Sequence, residues 1–363
     1  MSDILFVTWD GGGNVPPATG IAQELQRRGH AVRFLGHQVQ AESFVRQELA
    51  FRPFQTARPF TSQTSSSLVE LLGVFGDRSM GRDVVAELIA RPSAVVVVDC
   101  LLFGVMDALR AAGRPYVVLE HSFDGYFRGA ARGPLGLVLR LRGLRALDLM
   151  DAGTPVLATT LAELDRGHGA VQHTGPVVPL PERREPATPS PPAVLLSLST
   201  FAFRSLVPTW QRVLDAVEDL PVRVIATTGP AVDPAVLRVP ANVELHRWLP
   251  HSEVLPQVSV VVGHGGHSTT MAALAHGLPL VVLPLDAKSD QPFVGRTVEA
   301  AGAGRSLSRR ASPARIRAAI EELLVDGPHR VAAARLSAAL HGMPGAARGA
   351  DALEALCAGR IRG

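Results

Sequence analysis

Residues 248–304, WLPHSEVLPQVSVVVGHGGHSTTMAALAHGLPLVVLPLDAKSDQPFVGRTVEAAGAG, concentrate side chains that suit a phosphorylated, hydroxylated ligand. A Val-rich run at 258–262 leads into His264-Gly265-Gly266, and a helix opens with His267, Ser268, Thr269 and Thr270. A helix amino terminus offers N–H groups without intrahelical partners and the positive end of the dipole. Glycines let the backbone approach a ligand, and hydroxyls add donors, so the combination suits a diphosphate. The same letters also write an ordinary strand-to-helix turn with an N-cap. What favours a ligand is the company kept. Trp248 precedes the turn in a W-x-P sequence, and Asp290-Gln291 follow the next strand, at the carboxyl edge where open parallel sheets bind ligands. An indole for a base, a helix end for phosphates and a carboxylate–amide pair for hydroxyls describe a nucleotide sugar.

Such groups need elements to hold them. Residues 4–8 form a short β-rich run, followed by a glycine turn and an amphipathic helix carrying Ile21 and Leu25 that stops at Arg28-Gly29-His30. Strand, loop and helix recur at 32–35, at 95–98 with a helix ending near Gly113, and at 116–119. Near-continuous Val and Leu runs alternating with helical patterns predict an α/β fold with parallel sheets covered on both faces. Residues 174–192, TGPVVPLPERREPATPSPP, hold seven prolines and exclude regular structure. The alternation then restarts at 193–197, 222–227, 243–246, 258–262 and 280–284, with a helix at 210–217. The expected organisation is a first domain over 1–180, a linker at 181–192, a second domain over 193–345, and a C-terminal helix, 346–363, able to pack back on the first. Residues 61–67 and 125–145 read as irregular insertions.

Composition narrows the class. The chain has 363 residues, 47% of them hydrophobic and 19% charged, which excludes disorder and suits about two domains. Its net charge is +3, Lys288 is the sole lysine, and the arginines are scattered, with looser groups at 128–145 and 305–317 that read as solvated helix faces. Nucleic acid is therefore not an expected partner. Cys100 and Cys357 stand far apart with no metal-ligand spacing, which predicts neither a disulfide framework nor a zinc site. Asp3 precedes a short apolar run, unlike a signal peptide, and the longest apolar stretch, 94–109, is broken by Asp99 and Asp107. A cytoplasmic protein without a transmembrane segment is expected.

With these residues in view, the segment resembles the donor signature of family-1 glycosyltransferases of the GT-B fold, particularly bacterial enzymes that glycosylate natural products. The likeness extends over nearly the whole chain, from the Gly-rich first turn and the RGH helix end through VVVVD to the signature itself. It implies two Rossmann-like domains facing across a cleft. It implies that Trp248 stacks on the base, that His264, Gly265, Gly266, Ser268 and Thr269 surround the diphosphate, and that Asp290 with Gln291 read the sugar hydroxyls. The segment LLSLST at 195–200 is similar to the family's strand-to-loop element, which brings Ser197 and Thr200 near the phosphates; both residue types are also common turn formers.

Two departures stand out. Where many family members carry a glutamate that grips both ribose hydroxyls, this chain has Ala272, which favours a thymidine diphosphate donor and so a deoxysugar. Where many carry a catalytic histidine in the first loop, this chain has Asn14, and an amide cannot accept a proton. Asp10, Asp99 and His121 are the candidate bases, Asp10 being favoured because Asp99 is expected to lack its imidazole partner. No D-x-D motif is present in the cleft segments, so no cofactor or metal is expected and the diphosphate is to be neutralised by the helix end and His264. The expected activity is inverting hexosyl transfer, with a nucleotide diphosphate sugar and a hydrophobic aglycone as small-molecule partners. Phe54, Phe60, Phe123 and Tyr126 are the candidate aglycone contacts. A homodimer stays open. So do two other readings: a degenerate glycosyltransferase acting as a helper protein, and a nucleotide-sugar 2-epimerase.

Overall fold

The computed structural model describes residues 1–62, 67–165, 170–181, 191–199 and 203–361. They form two units, Met1–Val177 with Met343–Gly363, and Val178–Gly342; residues 182–190 of the proline-rich stretch lie outside the described residues.

The first unit contains β1 (Asp3–Val7), α1 (Val15–Arg27), β2 (Ala31–Gly36), α2 (Ala41–Arg46), β3 (Ala50–Pro53), α3 (Leu68–Phe75), α4 (Arg78–Ala90), β4 (Val95–Asp99), α5 (Phe103–Ala111), β5 (Val117–Glu120), α6 (Asp124–Arg132), α7 (Pro134–Leu141), α8 (Ala146–Asp151), β6 (Val156–Ala158) and β7 (Val171–His173). Its seven strands run in the order β3-β2-β1-β4-β5-β6-β7, every neighbouring pair parallel. Each residue of β4, VVVVD, is buried, as a strand covered on both faces must be. Alternate residues feed two cores: Leu5, Val7, Val96 and Val98 face one, Ile4, Phe6, Val95 and Val97 the other. Helix α1 stops where Gly29 takes φ +85°, with the His30 N–H closing on the Leu25 carbonyl.

The second unit contains β8 (Ala193–Ser197), α9 (Leu206–Val217), β9 (Arg223–Thr227), β10 (Val243–His246), α10 (His251–Val254), β11 (Val260–Gly263), α11 (His267–Ala275), β12 (Leu280–Val282), α12 (Gln291–Ala300), β13 (Gly304–Ser306), α13 (Pro313–Leu324) and α14 (Pro328–His341). Its sheet is also wholly parallel, in the order β10-β9-β8-β11-β12-β13. The last helix, α15 (Gly345–Ile361), belongs to the first unit. There it lies on α1, with Ala350 and Leu353 fully buried and Arg28 paired to Asp351 at 2.6 Å and Glu354 at 2.7 Å.

In both sheets the strand order reverses once, between β1 and β4 and between β8 and β11. Loops leave such a point in opposite directions and open a crevice at the carboxyl edge, where ligands bind.

Two expectations need correction. Residues 125–145 are not irregular: they form most of α6 and all of α7, divided at Gly133, with Pro134 opening the second helix and Leu139 buried beneath it. Arg128 is not on a solvated face: it is 3% exposed and joins Asp124 to Asp151, each at 2.7 Å. Among the described residues no helix is long and apolar enough to cross a membrane.

Candidate active site

At the crevice of the first sheet the turns after β1, β4 and β5 bring four polar side chains together. Asp99, the last residue of β4, is 6% exposed. Its Oδ1 accepts the Trp9 indole N–H at 3.1 Å and the Leu101 N–H at 3.0 Å. Its Oδ2 accepts the Asn14 amide at 2.9 Å and lies 3.5 Å from His121 Nδ1. The same Asn14 nitrogen reaches Thr8 Oγ1 at 3.2 Å and the Trp9 carbonyl at 3.1 Å. Three acceptors on one side fix which way the amide points, because its oxygen there would face a carboxylate. Asn14 therefore orients Asp99 and takes no proton.

Asp99 does have an imidazole, contrary to the expectation from the first loop. It comes from His121, just past β5, and the parallel pairing of β4 with β5 sets the two side by side. The His121 ring packs edge-to-face with Phe127, centroids 5.0 Å apart, and Cys100 Sγ lies 3.7 Å from Nδ1. Burial, together with the carboxylates of Asp99 and Glu120, pushes the Cys100 thiol up. Asp10, the favoured base on sequence grounds, is engaged elsewhere: its Oδ2 accepts the Ser62 N–H at 2.9 Å and lies 3.3 Å from the Ser62 hydroxyl. That carboxylate ties two loops together.

Of the candidate aglycone contacts, Phe60 packs 5.8 Å from Trp9 and 5.7 Å from His37, and Phe54 lies 5.5 Å from His37. Tyr126 is half-buried beside Phe127. Phe123 is fully buried and presents no surface to a ligand in this structure, because the start of α6 turns it inward. Sequence reasoning missed His37, which is 3% exposed with neither ring nitrogen partnered and whose imidazole burial pushes down. Its signal was its position, directly after the end of β2.

In the second unit β11 ends at Gly263 and α11 begins at His267, with Gly266 as its N-cap. Gly265 has φ +87°, and a Cβ there would stand 2.9 Å from the Gln291 carbonyl. A Cβ on Gly266 would meet the His264 ring at 2.7 Å, so the imidazole lies directly over that glycine. Burial pushes His264 down to about 4, and its Nδ1 is buried without a partner. At neutral pH it offers a hydrogen-bonding imidazole rather than a cation. Ser268 and Thr269 are half-buried in the first turn of α11.

Ser197, at the end of β8, has its hydroxyl 3.0 Å from the Thr227 hydroxyl, which donates to it, and 3.2 Å from His251 Nε2. Thr227 and His251 were not singled out from the sequence, although His251 directly follows the W-x-P turn. Trp248 is 70% exposed in the loop before α10. Asp290 is half-buried at the N-cap of α12. Gln291 is 4% exposed, and its Oε1 accepts the N–H groups of Leu285 at 2.7 Å and Asp286 at 3.2 Å. The Gln291 carbonyl thus shapes the β12–α12 loop, and only its NH₂ is left to meet a hydroxyl. Ala272 is 9% exposed on α11, and Thr200 lies outside the described residues.

Residues 211–356 match the family described as erythromycin biosynthesis protein CIII-like, C-terminal domain. The chain is 28% identical over 405 residues to the 4'-demethylrebeccamycin synthase of Lentzea aerocolonigenes, covering 92% of this chain and 94% of that protein. The calicheamicin glycosyltransferase CalG4 has a similar structure, with a TM-score of 0.79, 23% identity and 98% of each chain covered. So does the glycosyltransferase VinC, solved with dTDP, with a TM-score of 0.75, 20% identity, and 99% of this chain and 100% of that one covered. The fold is GT-B.

Proposed function

We propose that this GT-B glycosyltransferase moves a deoxysugar from a thymidine diphosphate donor to an apolar natural-product aglycone, with inversion at the anomeric carbon and no metal. The observation that carries the reading is the start of α11, where Gly265 takes φ +87°, the His264 ring lies against Gly266 at the N-cap, and a helix amino terminus supplies unpaired N–H groups and the positive end of its dipole. The matched family and the names of the relatives support the natural-product class. Ala272 supports thymidine, since the chain offers no carboxylate there to reward a ribose 2'-hydroxyl.

Chemistry follows from the two clusters. The neutral His264 and the α11 amino terminus stabilise the diphosphate as its bond to the anomeric carbon breaks and it leaves with the electron pair. The acceptor atom forms its bond to that carbon from the opposite face and gives up its proton to His121 Nε2. Asp99 holds the Nδ1 side and stabilises the imidazolium that results.

The test is donor turnover with and without an aglycone. Release of dTDP only when the aglycone is present, with a glycosylated product of inverted configuration, is the expected outcome. Release without an acceptor would point to epimerase chemistry, and dTDP binding without turnover on any acceptor to a helper protein; either overturns the proposal. Calorimetry is expected to give a dissociation constant for dTDP no weaker than that for UDP, and a clear preference for UDP would refute the thymidine assignment.

A further inference from the structure

Beside the His121 imidazole the turn after β4 places a group that the transfer reaction does not use, the thiol of Cys100. Along a strand, neighbouring side chains point to opposite faces, but β4 ends at Asp99, so Asp99 and Cys100 can both reach the same ring. His121 Nδ1 lies 3.5 Å from Asp99 Oδ2 and 3.7 Å from Cys100 Sγ, and all three donor atoms lie within 4.8 Å of one another. In a tetrahedral zinc site, with bonds of about 2.0 Å to nitrogen and oxygen and about 2.3 Å to sulfur, the donor-to-donor edges are about 3.3–3.6 Å.

We propose that Asp99, Cys100 and His121 form a binding site for a borderline-soft divalent cation, zinc in the first place, with the fourth position left for water. One sulfur, one imidazole nitrogen and one carboxylate oxygen make a donor set for zinc or cobalt, not for magnesium or calcium. The supporting hydrogen bonds of a metal site are already in place: the Trp9 indole and the Leu101 N–H hold Asp99 Oδ1, and the Asn14 amide holds Oδ2. Cys100 is fully buried, whereas the His121 side chain is 16% exposed, so the ion enters at the ring. On binding, the thiol proton leaves to solvent and a sulfur–metal bond replaces it, with no change of oxidation state.

A consequence rests on the proposed role of His121. A metal on Nδ1 leaves the ring proton on Nε2 and occupies Asp99, so the imidazole can no longer accept a proton from the acceptor. Zinc then inhibits transfer by blocking the base.

Cobalt(II) titrated into the full-length enzyme tests the site without relying on activity. One equivalent should produce a thiolate-to-cobalt charge-transfer band and the intense visible bands of four-coordinate cobalt. The charge-transfer band should vanish in Cys100→Ala and persist in Cys357→Ala, which alters the chain's other cysteine. Absence of the band in the wild-type protein, or its survival in Cys100→Ala, overturns the site. Should Cys100→Ala fail to fold, Cys100→Ser removes the sulfur with less change in volume and must also lose the band. Zinc should reduce transfer by about 10²-fold or more, the share a general base supplies, and a chelator should restore it. A cobalt band with transfer unimpaired by zinc keeps the site and refutes the inhibitory consequence. No band, with transfer still lost in His121→Ala, keeps the base and refutes the site.

Discussion

Asp99 collects an indole N–H, a backbone N–H and an amide, and faces an imidazole 3.5 Å away. A carboxylate so surrounded orients other groups, which supports the proposal of His121 as proton acceptor, while Asp10 is held by Ser62. His121→Ala should therefore lower kcat by roughly 10²-fold or more with the donor KM unchanged, and Asp10→Asn should stay near wild type in steady-state assays. The opposite ranking would return Asp10 to the role of base. In the second unit, losing the His264 hydrogen bond to a diphosphate should weaken dTDP binding by about 1.5–3 kcal/mol, measured by calorimetry on His264→Ala. The same residue links stability to pH. Its folded value, about 4, lies below the ordinary value of 6.5, so the unfolded chain takes up the proton first as pH falls. Stability is complete above about pH 6.5 and declines toward pH 4, by at most about 2 kcal/mol at pH 5. Urea midpoints at pH 7 and pH 5 should draw together in His264→Ala relative to wild type.

At the level of elements, the proposed site draws on strand ends and helix starts, and at one of them a glycine makes room for a neighbouring ring. Gly266 is the N-cap of α11 and carries the His264 ring where a side chain would otherwise be. Gly266→Ala inserts a methyl group 2.7 Å from that ring, and the imidazole rather than the backbone must give way. Donor affinity should fall about tenfold, or about 1.4 kcal/mol, while the circular dichroism spectrum stays that of the wild type. Undiminished dTDP affinity would mean that His264 makes no contact with the diphosphate. Helices α6 and α7 show the converse, local signals that composition obscures. Glycine and arginine suggest a loop, yet Pro134 starts a helix well, and Leu139 gives α7 a buried anchor.

For the molecule as a whole, the path of the chain matters: α15 follows the second unit in sequence and completes the first. Leu353 is fully buried, and Gly349 lies against Ile21 of α1, where a Cβ would stand 2.6 Å from the side chain. Leu353→Ala should destabilise the first unit by about 2–5 kcal/mol in urea unfolding, the range for a buried leucine truncated to alanine. Calorimetric dTDP affinity should be unchanged, because the α11 cluster belongs to the second unit. A loss of affinity equal to the loss of stability would show that the units unfold together.

The sequence by itself determined what is local. Valine runs specified buried parallel strands, Gly29 a helix stop, and His264-Gly265-Gly266 a strand-to-helix turn, because backbone period, left-handed glycine and helix-end chemistry are all set within a few residues. The short strands β3, β7 and β13, with AFRP, VQH and GRS, carry no such run and were illegible. Only the tertiary structure decided the partners: Asp99 with Asn14 across 85 residues, Asp99 with His121 through the β4–β5 register, Ser197 with Thr227 and His251, and Gln291 with its own loop. The physical reason is that a hydrogen bond between side chains depends on which strands are neighbours and on what burial excludes. Neither is written in any short window of sequence, and so the pairing of Asp99 with His121, on which the proposed base rests, appeared only once the strands stood side by side.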